Sequence, residues 1–187
     1  MEAPLWLLLA WGGIGSIDFV YNHMYRYRLH AQVTSLQEHS VHTLLTLVLT
    51  VTVVMLVFVE MGTLGFTIFL GVQACAVIFT LWDVWIEPAS RASFGGLPPD
   101  ECLIHTIVFM IHGAFLWVVI ANADLLVHGT GFGVWRWPSL PTFLLVEAVI
   151  FAGVAVGVLA LHVYLLGVSY RTFKTVPGVP IEGTSRV

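Results

Sequence analysis

Five apolar runs, each about as long as a bilayer is thick, constrain this sequence more than any other feature. A membrane-spanning helix needs roughly 20 mostly apolar residues. The qualifying segments are residues 4–21, 41–61, 63–86, 103–126 and 142–169. Charged residues make up only 10% of the chain, whereas a soluble domain carries about a quarter. The sequence therefore predicts an all-α integral membrane protein, with five transmembrane helices in a single domain.

Proline and glycine mark the predicted ends of these helices. Pro88 and the stretch 95–99, Gly-Gly-Leu-Pro-Pro, should end the third helix. Residues 129–141 contain three glycines and two prolines, which predicts a loop. Residues 170–187 follow the last apolar run and are predicted to form a cytoplasmic tail.

The basic residues predict the orientation of the helices. Six of the seven lie in the first loop, the third loop or the tail, and Arg136 alone lies in a loop on the other side. The six are Arg26, Arg28, Arg91, Arg171, Lys174 and Arg186. Since positive residues favour the cytoplasmic side, we expect the N-terminus outside and the C-terminus inside, in a bacterial inner (plasma) membrane. The net charge of −4, without a basic tract, argues against a nucleic-acid partner.

Acidic and histidine residues recur at matching places in the two halves of the chain. In each half an Asp closes one apolar run, and a Glu and a His four residues apart open the next. These residues are Asp18, Glu38 and His42 in the first half, and Asp83, Glu101 and His105 in the second. In the predicted topology all six lie at cytoplasmic helix ends, and helices 1–2 and 3–4 form a parallel pseudo-twofold repeat.

This pattern predicts a metal site. Helical residues four apart share one face, so each Glu and its His can point the same way. An acid at a helix start also complements the helix dipole, but that explains neither the His nor the matching Asp. Mixed carboxylate and imidazole ligands suit iron or manganese. We expect each helical hairpin to supply one half-site, and the two half-sites to hold two non-haem irons. Further ligands or supporting residues are predicted among His23, His39, Glu87, His112 and His162.

The predicted ligand set resembles that of the four-helix carboxylate di-iron proteins, which use four acids and two histidines. The spacing here is Glu-x-x-x-His instead of Glu-x-x-His. The resemblance therefore implies the ligand inventory and its twofold symmetry, but not the ferritin-like fold. The repeated histidine clusters of membrane fatty-acid desaturases and alkane hydroxylases do not occur in the sequence.

These residues predict a membrane-bound non-haem di-iron oxidoreductase of the oxygenase or oxidase type. It would oxidise or hydroxylate an apolar, lipid-soluble substrate with O₂, and the substrate would enter from membrane lipid. The chain carries no flavin or iron–sulfur motif, so an external electron-donor protein is expected.

Two other classes of function remain open from the sequence. The chain could be a b-type haem subunit, or a structural subunit, of a redox complex with other membrane subunits. Haem would then be held by pairs such as His42 with His105 or His112 with His162. Acids and histidines also line ion paths, so a divalent-cation transporter is a further alternative.

Overall fold

The computed structural model describes residues 2–137 and 140–174, and these are mostly helical. Five helices are long and apolar enough to cross a membrane, as predicted. In chain order the elements are α1 (Glu2–Asp18), α2 (Leu36–Phe58), β1 (Val59–Met61), α3 (Thr63–Ser90), α4 (Pro99–Ala121), the short α5 (Ala123–Leu126), β2 (Gly133–Trp135) and α6 (Thr142–Lys174). Residues 175–187, with Arg186 and most of the predicted tail, lie outside the described residues.

The core forms where α1 packs against α4, and where α2 packs against α3 and α6. Leu8 of α1, Phe69 of α3, Phe115 of α4 and Leu144 of α6 are fully buried in it. This packing makes the first and fourth helices neighbours, and likewise the second and third. The ends of α1 and α3 and the starts of α2 and α4 therefore meet at one end of the bundle.

Helix α3 passes through Pro88 and ends at Ser90, so the prediction that Pro88 ends this helix is wrong. A proline in a helix removes one backbone hydrogen bond and crowds the carbonyl four residues earlier, but the helix can continue where the residues that follow find partners. The backbone N–H of Arg91 donates to the carbonyl oxygen of Glu87 at 2.9 Å. The hydroxyls of Ser90 and Ser35 hydrogen-bond at 2.8 Å. The added turn carries Glu87 and delivers Arg91 to the same end of the bundle.

A two-stranded antiparallel ladder closes the other end, and the sequence did not predict it. Val59 pairs with Trp135, and Met61 with Gly133. Residues 59–61 were predicted as helix and residues 133–135 as loop, and both predictions are wrong. Gly133 has φ +130°, a conformation suited to glycine, and a Cβ there would lie 2.4 Å from the carbonyl oxygen of Glu60.

Two predicted helix ends are also displaced. The fourth helix breaks at Asn122, where a span continuing to residue 126 was expected, and α5 follows as a separate turn. Helix α6 continues to Lys174, five residues beyond the predicted end at residue 169. The predicted tail therefore begins as helix.

Candidate metal centre

All six sequence-predicted ligands meet where four helix ends converge. Asp18 closes α1, and Asp83 lies in the last turns of α3. The other four ligands lie in the first turns of α2 and α4; they are Glu38, His42, Glu101 and His105. Glu87 and His23 join them through the contacts described below. We call these eight residues the acid–histidine cluster.

Two histidine–carboxylate pairs connect different helices. His42 Nε2 on α2 lies 3.2 Å from Asp83 Oδ1 on α3. His105 Nε2 on α4 lies 3.1 Å from Asp18 Oδ2 on α1. We expected each half-site to come from one hairpin, 1–2 or 3–4, but each of these two pairs joins residues from both hairpins. The reason is the packing, because α1 lies against α4 and α2 against α3.

His23 enters the cluster because α1 changes its winding. The segment Phe19–Arg26 is a π-helix, in which the N–H of Tyr27 donates to the carbonyl of Asn22 at 2.9 Å. The wider turn directs both Asn22 and His23 toward Asp18. Asn22 Nδ2 donates to Asp18 Oδ1 at 2.6 Å, and His23 Nε2 lies 3.6 Å from Asp18 Oδ2. Such π-turns are frequent at functional sites.

His23 lies centrally among the acids. Its Nε2 is 3.6 Å from Glu101 Oε1 and 4.0 Å from Glu38 Oε1. Its ring meets that of His42 edge-on, with 4.2 Å between centroids. The sequence marked His23 only as a supporting candidate, because five residues after Asp18 is off-face in a regular α-helix.

Glu87 also belongs to the cluster. Its Oε2 lies 3.3 Å from Nδ1 of His105, whose other ring nitrogen faces Asp18. His105 therefore lies between two carboxylates, one from α1 and one from α3. This contact depends on the turn of α3 that surrounds Pro88.

Arg91 closes one side of the cluster, and the sequence indicated it only as an orientation signal. Its side chain is fully buried. It donates to Glu38 Oε2 at 2.8 Å and to both carboxylate oxygens of Glu101. Its guanidinium also lies over the ring of Tyr27, 4.7 Å from the centroid. Its place four residues after Glu87, in the short α3–α4 loop, was the signal that could have revealed it.

The electrostatics of this loop favour a permanent charge on Arg91. Burial would lower the pKa of its guanidinium, but the hydrogen bond to Glu101 and the charge of Glu38 raise that pKa above its usual range. Burial also raises the pKa of the Tyr27 phenol, and the nearby charge of Glu101 adds to this effect. Arg91 therefore acts as a fixed positive charge beside the acids.

Positive charge in the cluster falls short of negative charge. Five carboxylates are at most 5% exposed: Asp18, Glu38, Asp83, Glu87 and Glu101. Arg91 is the permanent cation that the ion pairs of the described residues place against them. With neutral histidines, four negative charges remain uncompensated. Buried charges are stable only when paired or bound to metal, so the cluster calls for added cations or protons.

Five donor atoms of the cluster are buried and lack a hydrogen-bond partner within the described part of the chain. They are His23 Nε2, Glu38 Oε1, His42 Nε2, Asp83 Oδ1 and Glu87 Oε1. His42 Nε2 and Asp83 Oδ1 are close in space but lack hydrogen-bond alignment. Most buried polar atoms in proteins are hydrogen-bonded, so these five are suited to a shared ligand.

Three groups in the cluster have donor atoms within 4.8 Å of one another, as a metal ion requires. They are Asp18 with His23 and His105, His23 with Glu38 and His42, and Glu87 with Glu101 and His105. His23 belongs to two of these groups, and so does His105. The three groups therefore overlap through these two histidines.

A cavity of about 110 Å³ opens beside the cluster. Its polar lining includes Asp18, His42, Asp83 and His105. Its remaining lining is mostly apolar and comes from α1, α2, α4 and α6; it includes Trp11, Leu49, Val108, Phe109, Phe151 and Val158. An apolar chain held there would lie against four of the predicted ligands.

Three predicted supporting histidines lie outside the cluster. His112 Nε2 contacts Gln73 Oε1 at 3.1 Å, and its ring stacks on Trp11 with centroids 4.1 Å apart. His39 Nε2 contacts the carbonyl oxygen of His162 at 3.3 Å. Among the described residues, none of these three histidines forms a group with cluster carboxylates at metal-binding distances. His162 also lines the cavity.

Fold and site together define a helical protein with five potential membrane spans and a buried acid–histidine cluster that could bind metal. No protein-family model, curated protein or solved structure matches the chain.

Proposed function

We propose that the protein is a membrane-bound di-iron oxidoreductase that oxidises or hydroxylates an apolar, lipid-soluble substrate with O₂. The observation that carries this proposal is the set of five buried donor atoms without hydrogen-bond partners. Buried polar atoms left without a hydrogen-bond partner are costly in a folded protein, and metal ions would coordinate several of them at once. Their position beside an apolar cavity favours an enzyme over a purely structural subunit.

The charge balance supports two divalent ions. Two such ions would match the four negative charges that Arg91 leaves uncompensated. His42 with Asp83 and His105 with Asp18 form equivalent contacts, as expected if the two sequence halves form a parallel pseudo-twofold repeat. Mixed carboxylate and imidazole donors favour iron or manganese, and the ligand inventory resembles that of carboxylate di-iron proteins.

The bound metals would supply the redox chemistry, and the chain's own residues would prepare the site for it. Glu38 and Glu101 are held by Arg91, which leaves Glu38 Oε1 directed toward His23 and His42. Asn22 holds Asp18. The cavity would keep water away and place a substrate C–H bond near the cluster.

Hydroxylation requires a supply of electrons and protons in addition to O₂. One oxygen atom of O₂ enters the C–H bond and the other leaves as water, and this consumes two electrons and two protons. A donor protein of the flavin or iron–sulfur class would supply the electrons. Most basic residues lie in the loops and tail at the cluster end of the bundle, which supports a cytoplasmic position for the site. Soluble electron-donor proteins are present on that side.

Elemental analysis of protein purified in mild detergent tests the proposal. We expect about two irons per chain, as in carboxylate di-iron proteins. His42→Ala and His105→Ala should each lose metal, while the exposed His128 provides a matched control, His128→Ala, that keeps it. Metal-free wild-type protein from iron-supplemented cells would contradict the proposal.

Two further measurements separate the alternatives. A pyridine haemochrome band without non-haem iron would indicate a haem subunit. Uptake of Fe²⁺ or Mn²⁺ into proteoliposomes that Glu101→Ala abolishes would indicate a transporter. Either result would overturn the di-iron enzyme.

A further inference from the structure

His162 is the histidine of the cavity wall that the proposed chemistry does not use. It is 1% exposed, lines the cavity, and its Nδ1 has no hydrogen-bond partner in the described ranges 2–137 and 140–174. The contact with His39 uses the backbone carbonyl of His162, so it does not occupy Nδ1 of the ring. Leaving a buried ring nitrogen unpaired is unfavourable. Nδ1 is therefore suited to a ligand in the cavity.

The ring of His162 is fixed at the level of the cluster. It stacks on Phe19 with 3.8 Å between centroids, and Phe19 directly follows Asp18. His39, on the other side, directly follows Glu38. Trp11, which lies seven residues before Asp18 on α1, also lines the cavity. It is about 10 Å deeper in the bundle than Asp18. The cavity thus has a polar end beside the cluster and an apolar end near Trp11.

We infer that the occupant is a single-chain lipid with a neutral oxygen-bearing end group, such as a long-chain alcohol, and that His162 binds that oxygen. This inference rests on the proposed function for its chemistry. The alkyl chain would run along α1, where Gly12 and Gly15 line the cavity, toward Trp11. His162 is then the specificity-determining residue, and it selects which carbon lies beside the cluster.

The charge of the cluster decides between a neutral and an anionic end group. A carboxylate at His162 would be a buried charge without a counter-charge, because the two proposed metal ions only neutralise the cluster acids, and an unpaired buried charge is costly. An alcohol or aldehyde adds no charge and can pair with Nδ1. The inference therefore excludes fatty-acid anions as preferred ligands.

Quenching of tryptophan fluorescence by a brominated probe tests this assignment. The probe is dodecanol with bromine on its terminal carbon, compared with bromododecane and with the matching bromododecanoate. The alcohol should quench at about tenfold lower concentration than the alkane, the value of one hydrogen bond. Trp11→Phe should remove most of this quenching. His162→Leu should abolish the alcohol's advantage, and His162→Gln should restore part of it.

Equal quenching by alcohol and alkane in wild-type protein, or an advantage that survives in His162→Leu, would overturn the assignment. Stronger quenching by the carboxylate would overturn the neutral end group. Iron content measured on the same samples separates the two proposals. Iron-loaded protein without alcohol preference contradicts only this inference, and alcohol preference in protein that never binds metal contradicts only the proposed function.

Discussion

The two ends of the bundle handle polar groups in opposite ways. At the ladder end, backbone groups of the loop hydrogen-bond to backbone groups at the end of α2 and in β1. The N–H of Arg136 donates to the carbonyl of Phe58 at 2.9 Å, and the N–H of His128 donates to the carbonyl of Met61 at 2.7 Å. The ion pair of this end, Arg136 with Glu60, is partly exposed. At the cluster end, acids and histidines are buried and five of their donor atoms lack partners.

This difference gives the two ends different requirements for a ligand. The ladder end is complete without any ligand, because its polar atoms pair among themselves or meet solvent. The cluster end is stable only with added cations or protons, since burial of like charges is unfavourable. Variants at the two ends should therefore respond differently in stability and in metal content.

The largest effect is expected at Arg91. Arg91→Met removes the buried cation that holds Glu38 and Glu101 and leaves their charges unpaired. Breaking a buried pair in this way costs about 3–5 kcal/mol. Thermal unfolding in detergent, with size-exclusion chromatography, should show loss of most folded protein. Unchanged stability in metal-free Arg91→Met would show that the acids are protonated in the folded state.

The next largest effect on stability is expected at Gly65, where α3 packs closely against the loop backbone at the ladder end. A Cβ on Gly65 would lie 1.8 Å from the carbonyl oxygen of Phe132, so Gly65→Ala must displace backbone. We expect a loss of about 1–3 kcal/mol, as for overpacking. Gly71 has nothing within 4 Å of its Cβ position, so Gly71→Ala is the matched control and should be neutral or slightly stabilising. Both variants should keep wild-type iron content, and loss of iron in Gly65→Ala would mean that the two ends are coupled.

A smaller effect, on metal alone, is expected at Asn22. Asn22→Ala removes the hydrogen bond that orients Asp18, and loss of such support typically weakens metal binding at least about tenfold. Asn122→Ala is the matched control, because the side chain of Asn122 donates to the carbonyl of Val118, at the other end of α4. Competition against a fluorescent chelator measures the affinity. Equal affinities in the two variants would mean that Asp18 does not bind metal.

The helices and the cluster could be predicted from sequence because their signals are local. Long apolar runs indicate membrane-spanning helices directly. An acid and a histidine four residues apart indicate two side chains on the same face of a helix. The exchanged pairing of His42 with Asp83 could not be predicted, because it depends on which helices are neighbours. That choice is made by side-chain packing over the whole bundle.

The remaining differences come from backbone conformation. His23 joins the cluster because of the π-turn after α1. Glu87 and Arg91 join it because α3 continues through Pro88 in its last turn. The ladder between residues 59–61 and 133–135 depends on long-range pairing. Each is decided by partners distant in sequence, and local propensity indicates the opposite outcome.

The smallest effect on stability is expected at the exposed ion pair of the ladder end, which can be compared directly with buried Arg91. The side chains of Arg136 and Glu60 are 58% and 30% exposed, so solvent screens their attraction. Arg136→Met should lower stability by at most about 1 kcal/mol and leave iron content unchanged, although it makes the same substitution as Arg91→Met. If unfolding shows equal losses in the two variants, burial is not what distinguishes the two ends.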